Sequence, residues 1–178
     1  EQGQYDAAYD LLSKALNTHI KNNFQYGIAE VNNKLGDLFI RKKDYQSALS
    51  YLLQSVEAGA KRLDHVGIAQ NYQMIGDLYL KKGDLEQATS YLLRSKKMAE
   101  TYALKGIQRN VYLNLIQLAR KRDKAEQALA YYDQYVNIID SLYNEEKQVQ
   151  ITNIESRYKF LQKEKELEIA QQQLSILQ

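Results

Sequence analysis

Apolar and small residues recur along the chain at helical spacing. From Ile28 to Arg41 they fall at Ile28, Val31, Leu35, Gly36, Leu38 and Phe39, the three-and-four spacing of a helix with one buried stripe. A second copy of that helix runs from about Val66 to Lys82. Short polar breaks follow, KKD before Tyr45 and KKGD before Leu85, where Gly83 is suited to the left-handed conformation that ends a helix. Asp44 and Asp84 are placed to cap the next helix. That helix buries Tyr45, Ala48, Leu52 and Val56 in one copy, and Leu85, Ala88, Leu92 and Ala99 in the next. The expected unit is an antiparallel helical hairpin.

The hairpins themselves repeat. LGDLFIRKKDYQSALSYL from Leu35, IGDLYLKKGDLEQATSYL from Ile75 and LIQLARKRDKAEQALAYY from Leu115 superimpose at a step of 40 residues. Small residues recur in step at Ala8, Ala48, Ala88 and Ala128, and bulky ones at Leu12, Leu52, Leu92 and Tyr132. Such self-similarity predicts an all-α stacked solenoid. Gly36 and Gly76 stand in mid-helix, where glycine costs on the order of 1 kcal/mol relative to alanine. Close approach of the partner helix opposite Ala48 or Ala88 is the expected compensation.

These positions resemble the tetratricopeptide repeat (TPR), which has a large residue, a glycine and an aromatic, and later an alanine and another bulky residue. Leu35, Gly36, Phe39, Ala48 and Leu52 fit that pattern, as do Ile75, Gly76, Tyr79, Ala88 and Leu92. The third copy departs from it, with Ile116 at the glycine position, Ala119 at the aromatic one and Tyr132 at the later bulky one, and a modified terminal repeat is expected there. Gly106 stands one residue early relative to Gly27 and Gly67, so the connection before it is expected to be one residue shorter. The family's usual step is about 34 residues, so each pair here carries about six more, or roughly one and a half helical turns.

The first residues, QYDAAYDLLSKAL, align with DYQSALSYLLQSV, so the chain is expected to open on the second helix of a repeat, as a fragment of something longer. Beyond Asp140 the sequence reads as one long helix. Ile151, Ile154, Tyr158 and Leu161 keep heptad spacing, and Leu167, Ala170, Leu174 and Leu177 keep it again out of register. An interrupted coiled coil that pairs two chains is one reading, and a helix capping the last repeat is the other. The expected organisation is a partial repeat over 1–24, three repeats over 25–141 and a signalling or capping helix over 142–178.

Composition removes several function classes. The chain has no proline and 8 glycines in 178 residues, which leaves little room for turns and favours helix. Lys and Arg total 24 against 22 Asp and Glu, interleaved to a net charge of +2, so no basic stripe is expected to hold nucleic acid. Without cysteine there are no disulfides, thiolate metal sites or cysteine nucleophiles. Neither histidine, His19 or His65, has a second ligand at i+4, and no nucleophile elbow, phosphate loop or dinucleotide fingerprint is present. No signal peptide is expected from these residues, no apolar run comes near the roughly 18 residues that span a bilayer, and no membrane contact by this segment is expected. The expected protein is not an enzyme and carries no cofactor or metal.

The resemblance implies a concave surface for a protein or peptide ligand. The family's ligand-facing positions carry over to Asn33, Asp37 and Arg41, to Gln73, Asp77 and Lys81, and to Leu113, Gln117 and Lys121, each trio spaced by four residues on one helix face. The lysine-and-asparagine clamp of TPR proteins that grip chaperone tails is absent. An array running through DSLYNEEK into QITNIESRYKFLQKEKELEIAQQQ resembles the input regions of bacterial membrane-bound sensor histidine kinases or TPR-containing regulators. That resemblance implies a sensory segment of a two-component system in the periplasmic portion of an inner-membrane protein, acting as a homodimer through the C-terminal helix. A cytoplasmic scaffold or adaptor is the alternative.

Overall fold

A computed structural model describes the backbone of residues 2–176 and the side chains of residues 5–166. Among the described residues the chain forms helices and no strands: α1 (Gln2–Lys21), α2 (Gln25–Arg41), α3 (Tyr45–Ala60), α4 (His65–Lys82), α5 (Leu85–Thr101), α6 (Lys105–Lys121) and α7 (Ala125–Ile176). Two compact units divide it, Glu1–Ile138 and Ile139–Gln178, with α7 contributing to both. In the first unit α2 packs on α3 and α4 on α5, each helix also touches its neighbour in sequence, and α4 lies against both α2 and α6. The fold is an all-α, TPR-like array of helical hairpins.

The turns set the helix spacing. Asn23, Lys43, Leu63, Gly83, Ala103 and Asp123 all have positive φ, between 51° and 82°, and lie 20 residues apart. At each, the left-handed residue's N–H donates to the carbonyl three residues back, as Lys43 does to Ile40 at 3.0 Å, and the next N–H donates to the carbonyl five back, as Asp44 does to Phe39 at 3.0 Å. This is the Schellman closure, which satisfies the carbonyls that a helix end leaves unpaired. The 40-residue repeat is thus two equal halves, each one helix and one turn. Only Gly83 meets the left-handed requirement without a Cβ.

Asp44 and Asp84 cap α3 and α5 as their positions predict, accepting from the N–H groups of Ser47 and Gln87. The Ser47 hydroxyl and N–H together hold the Asp44 carboxyl below its ordinary pKa. Asp64 caps α4 in the same way through Gly67. Gly106 does not mark a shortened step. The residues preceding α2, α4 and α6, namely Phe24, Asp64 and Leu104, lie 40 apart, so the glycine has moved within its helix and the helix start has not.

The core follows from the glycines. A Cβ on Gly36 would lie 2.5 Å from Leu52 Cδ2, and one on Gly76 would lie 2.6 Å from Leu92 Cδ2. Leu52 and Leu92 are fully buried knobs seated in the gaps those glycines leave, while the Ala48 carbonyl lies further off, at 3.6 Å. In the third hairpin a half-buried Ile116 stands at the glycine position. The expected Tyr132 is exposed, and α7 packs Tyr131, Tyr135 and Ile138 against the cluster of Leu92, Val111, Tyr112, Leu115 and Leu118. Tyr131, Tyr135 and Ile138 keep the step of Tyr91, Ser95 and Met98, and only Tyr132 leaves the buried place that Leu52 and Leu92 hold.

In the second unit every described side chain from Tyr143 to Glu166 is exposed. Ile151, Ile154, Tyr158 and Leu161 form an open apolar seam along α7, 40–69% exposed. The Gln162 amide donates to the Tyr158 hydroxyl at 3.0 Å beside that seam. The second heptad run, Leu167, Ala170, Leu174 and Leu177, lies outside the residues whose side chains are described.

Candidate functional site

Polar residues in an otherwise apolar stripe locate a depression in the array. Val31, Asn71 and Val111 share one column of the repeat, and the amide in that column is buried. Its Nδ2 donates to Ser55 Oγ at 2.8 Å, and Ser55 in turn donates to the Ala29 carbonyl at 2.6 Å. Its Oδ1 accepts from Asn33 Nδ2 at 2.6 Å. This chain of bonds satisfies the buried groups and ties α2, α3 and α4 together.

Above it lies a cavity of about 140 Å³ between α2 and α4, whose lining includes Tyr26, Glu30, Asn33, Ser55, Gln70 and Asn71. Ala29, Gly59 and Gly67 keep its walls low. A second depression continues it along the same two helices and shares Asn33 and Gln70, adding Lys34, Asp37 and Met74. The two form a groove, with the Arg62 guanidinium 4.7 Å above the Tyr26 ring at one end. Ion pairs within α2, Lys34 with Glu30 at 2.7 Å and Arg41 with Asp37 at 2.8 Å, border it. α4 and α6 are in closer contact than α2 and α4.

The family-derived positions divide accordingly. Asn33 and Asp37 lie in the groove, and Arg41 is exposed beside Asp37. Gln73, Asp77 and Lys81 occupy the matching positions on α4, outside the two cavities just described, with Lys81 paired to Asp77 at 2.7 Å. Leu113 and Gln117 are exposed on α6. Lys121 donates to the Leu80 carbonyl at 3.0 Å, and Arg122 donates to that of Leu85 at 2.9 Å, fixing the end of α6 to the turn between α4 and α5. The Arg41, Lys81 and Lys121 row is therefore engaged within the array. Gln70, Asn71 and Met74 escaped sequence reasoning, although the polar residue in a valine column was a signal.

No described cluster offers metal chemistry: among the described residues no group of three or more His, Asp or Glu side chains could hold an ion. No described helix is long and apolar enough to cross a membrane. Residues 27–101 match the tetratricopeptide repeat family model. Repeats of that family are generally non-catalytic and serve as protein-binding helical modules. No curated protein matches the chain in sequence. The fold is similar to the crystal structure of BtubC (BKLC) from P. vanneervenii, with a TM-score of 0.70 and 18% identity over 79% of this chain. The match spans 59% of the length of that protein.

Proposed function

We propose that this array is a non-catalytic protein- or peptide-binding module and the sensory input segment of a bacterial two-component signalling protein. The observation that carries the binding half is the α2/α4 groove, where Asn33 and Gln70 line a depression floored by the satisfied Asn71–Ser55 chain. Asn33 Nδ2 donates to Asn71 Oδ1 and also to Met74 Sδ at 3.6 Å, which leaves its carbonyl for a ligand backbone. Met74 offers an adaptable apolar contact at the same place. Groove and rim together suit an extended segment of polypeptide.

The signalling half is supported by the change in character along α7. Tyr131, Tyr135 and Ile138 pack into the array core, whereas Ile151, Ile154, Tyr158 and Leu161 are an uncovered seam at the +3, +4, +3 spacing of a helix pair. In this reading two copies pair through that seam, and a ligand in the groove shifts the pairing, which carries the signal onward from the periplasmic portion of an inner-membrane protein.

The test uses spin labels at Gln162 in the full chain and a peptide selected from a displayed random library. Addition of the peptide is expected to shift the distance between labels on two chains. A chain that is monomeric by mass, or a distance unchanged at saturation, would remove the sensory reading and leave a cytoplasmic scaffold or adaptor.

A further inference from the structure

Asn32, Tyr72 and Tyr112 occupy one column of the repeat, each 40 residues from the next. In α6 the Tyr112 ring is buried, packs on Tyr131 of α7 at 6.3 Å, and donates its hydroxyl to Glu100 Oε1 of α5 at 2.7 Å. It plugs the space between two successive second helices. In α4 the Tyr72 ring lies 5.9 Å from Tyr91, with the Arg94 guanidinium 6.0 Å above it.

On α2 the column holds Asn32, and no ring fills the gap. A cleft of about 160 Å³ opens there between α1 and α3, its lining including Ile20, Ile28, Asn32, Gln54, Glu57 and Ala58. Asn32 is 1% exposed, and its Oδ1 is buried without a hydrogen-bond partner among the described residues. A buried acceptor left unpaired is costly, and its presence beside a cleft points to a donor supplied from outside. A cavity of about 150 Å³ accommodates a benzene ring.

We propose that this cleft receives the side chain of a tyrosine on a partner polypeptide. The ring lies against Ile20, Ile28 and Ala58, the Asn32 amide turns toward the cleft, and the hydroxyl donates to its Oδ1. The partner thereby supplies the tyrosine that the second and third hairpins carry themselves. The cleft shares no lining residue with the α2/α4 cavity, so the two sites stand or fall separately.

The probe is N-acetyltyrosine amide, titrated into the full chain and followed by NMR, with N-acetylphenylalanine amide as comparison. Saturable shifts are expected at the Asn32 and Gln54 side-chain amides and the Ile20 and Ile28 methyls, with the phenylalanine compound about tenfold weaker for want of the hydroxyl. Asn32→Tyr, which fills the cleft from within, is expected to abolish binding and raise the melting temperature. Asn32→Leu keeps the site apolar and is expected to erase the preference for tyrosine over phenylalanine, which secures the test if Asn32→Tyr does not fold. Absence of shifts at the probe's solubility limit, equal binding of both compounds, or a tyrosine preference that survives Asn32→Leu would overturn the proposal.

Discussion

Leu52 Cδ2 sits 2.5 Å from the point where a Cβ on Gly36 would stand, so the leucine occupies the volume that the glycine vacates. Helix propensity alone says that Gly36→Ala should gain about 1 kcal/mol. The packing says the opposite: the added methyl drives a fully buried leucine out of its seat, and overpacking of this kind costs about 1–3 kcal/mol. Urea unfolding is expected to show Gly36→Ala destabilised, and the same substitution neutral or stabilising in a Leu52→Ala background. A cycle in which the two changes simply add would show that the pair is not coupled.

Five of the six turns place a side chain in the left-handed region, where an L-residue loses roughly 1–2 kcal/mol. Lys43→Gly and Ala103→Gly are each expected to raise stability by about 1 kcal/mol, and Gly83→Ala to lower it by a similar amount. The readout is the urea midpoint at constant slope. A loss on placing glycine at Lys43 or Ala103 would mean that unfolded-state entropy outweighs the relief of strain.

The 40-residue step was legible because its columns hold the same residue types, and the hairpins, two of the caps and the close approach at Gly36 and Gly76 followed from it, though Leu52 and Leu92 make that approach and not Ala48 and Ala88. The 20-residue half-step was not legible. Its six turns share backbone geometry and hydrogen bonding, while their sequences NNF, KKD, RLD, KGD, YAL and RDK share only a basic first residue in four and a capping Asp in three. Tyr132 is exposed where Leu52 and Leu92 are buried, in the one hairpin whose facing glycine position holds Ile116, a relationship that no single column displays. Of the groove, Asn33 and Asp37 came from family resemblance. Gln70 and Met74 come from the neighbouring helix, at positions four residues apart that the concave trios pass over.

Alkaline pH should weaken the array through its half-buried rings. Burial, and then the hydrogen bond with Tyr9, push the Tyr51 hydroxyl up to about 12, and burial also raises Tyr79. A phenol whose pKa is higher in the folded chain than the ordinary 10 holds its proton more tightly there. Its contribution is complete below pH 10 and is lost as pH rises towards 12. Tyr51→Phe is expected to flatten the fall in stability between those two pH values, measured by urea midpoints. An unchanged slope would place the alkaline loss elsewhere.

The most direct test of the binding role is to map a selected peptide on the full chain by NMR. Shift changes are expected to concentrate on Asn33, Asp37, Gln70 and Met74, with affinity falling about tenfold in Asn33→Ala or Gln70→Ala, the scale of one lost hydrogen bond. A peptide that binds with undiminished affinity to both variants, or whose shift changes lie away from α2 and α4, would contradict the groove as the ligand site.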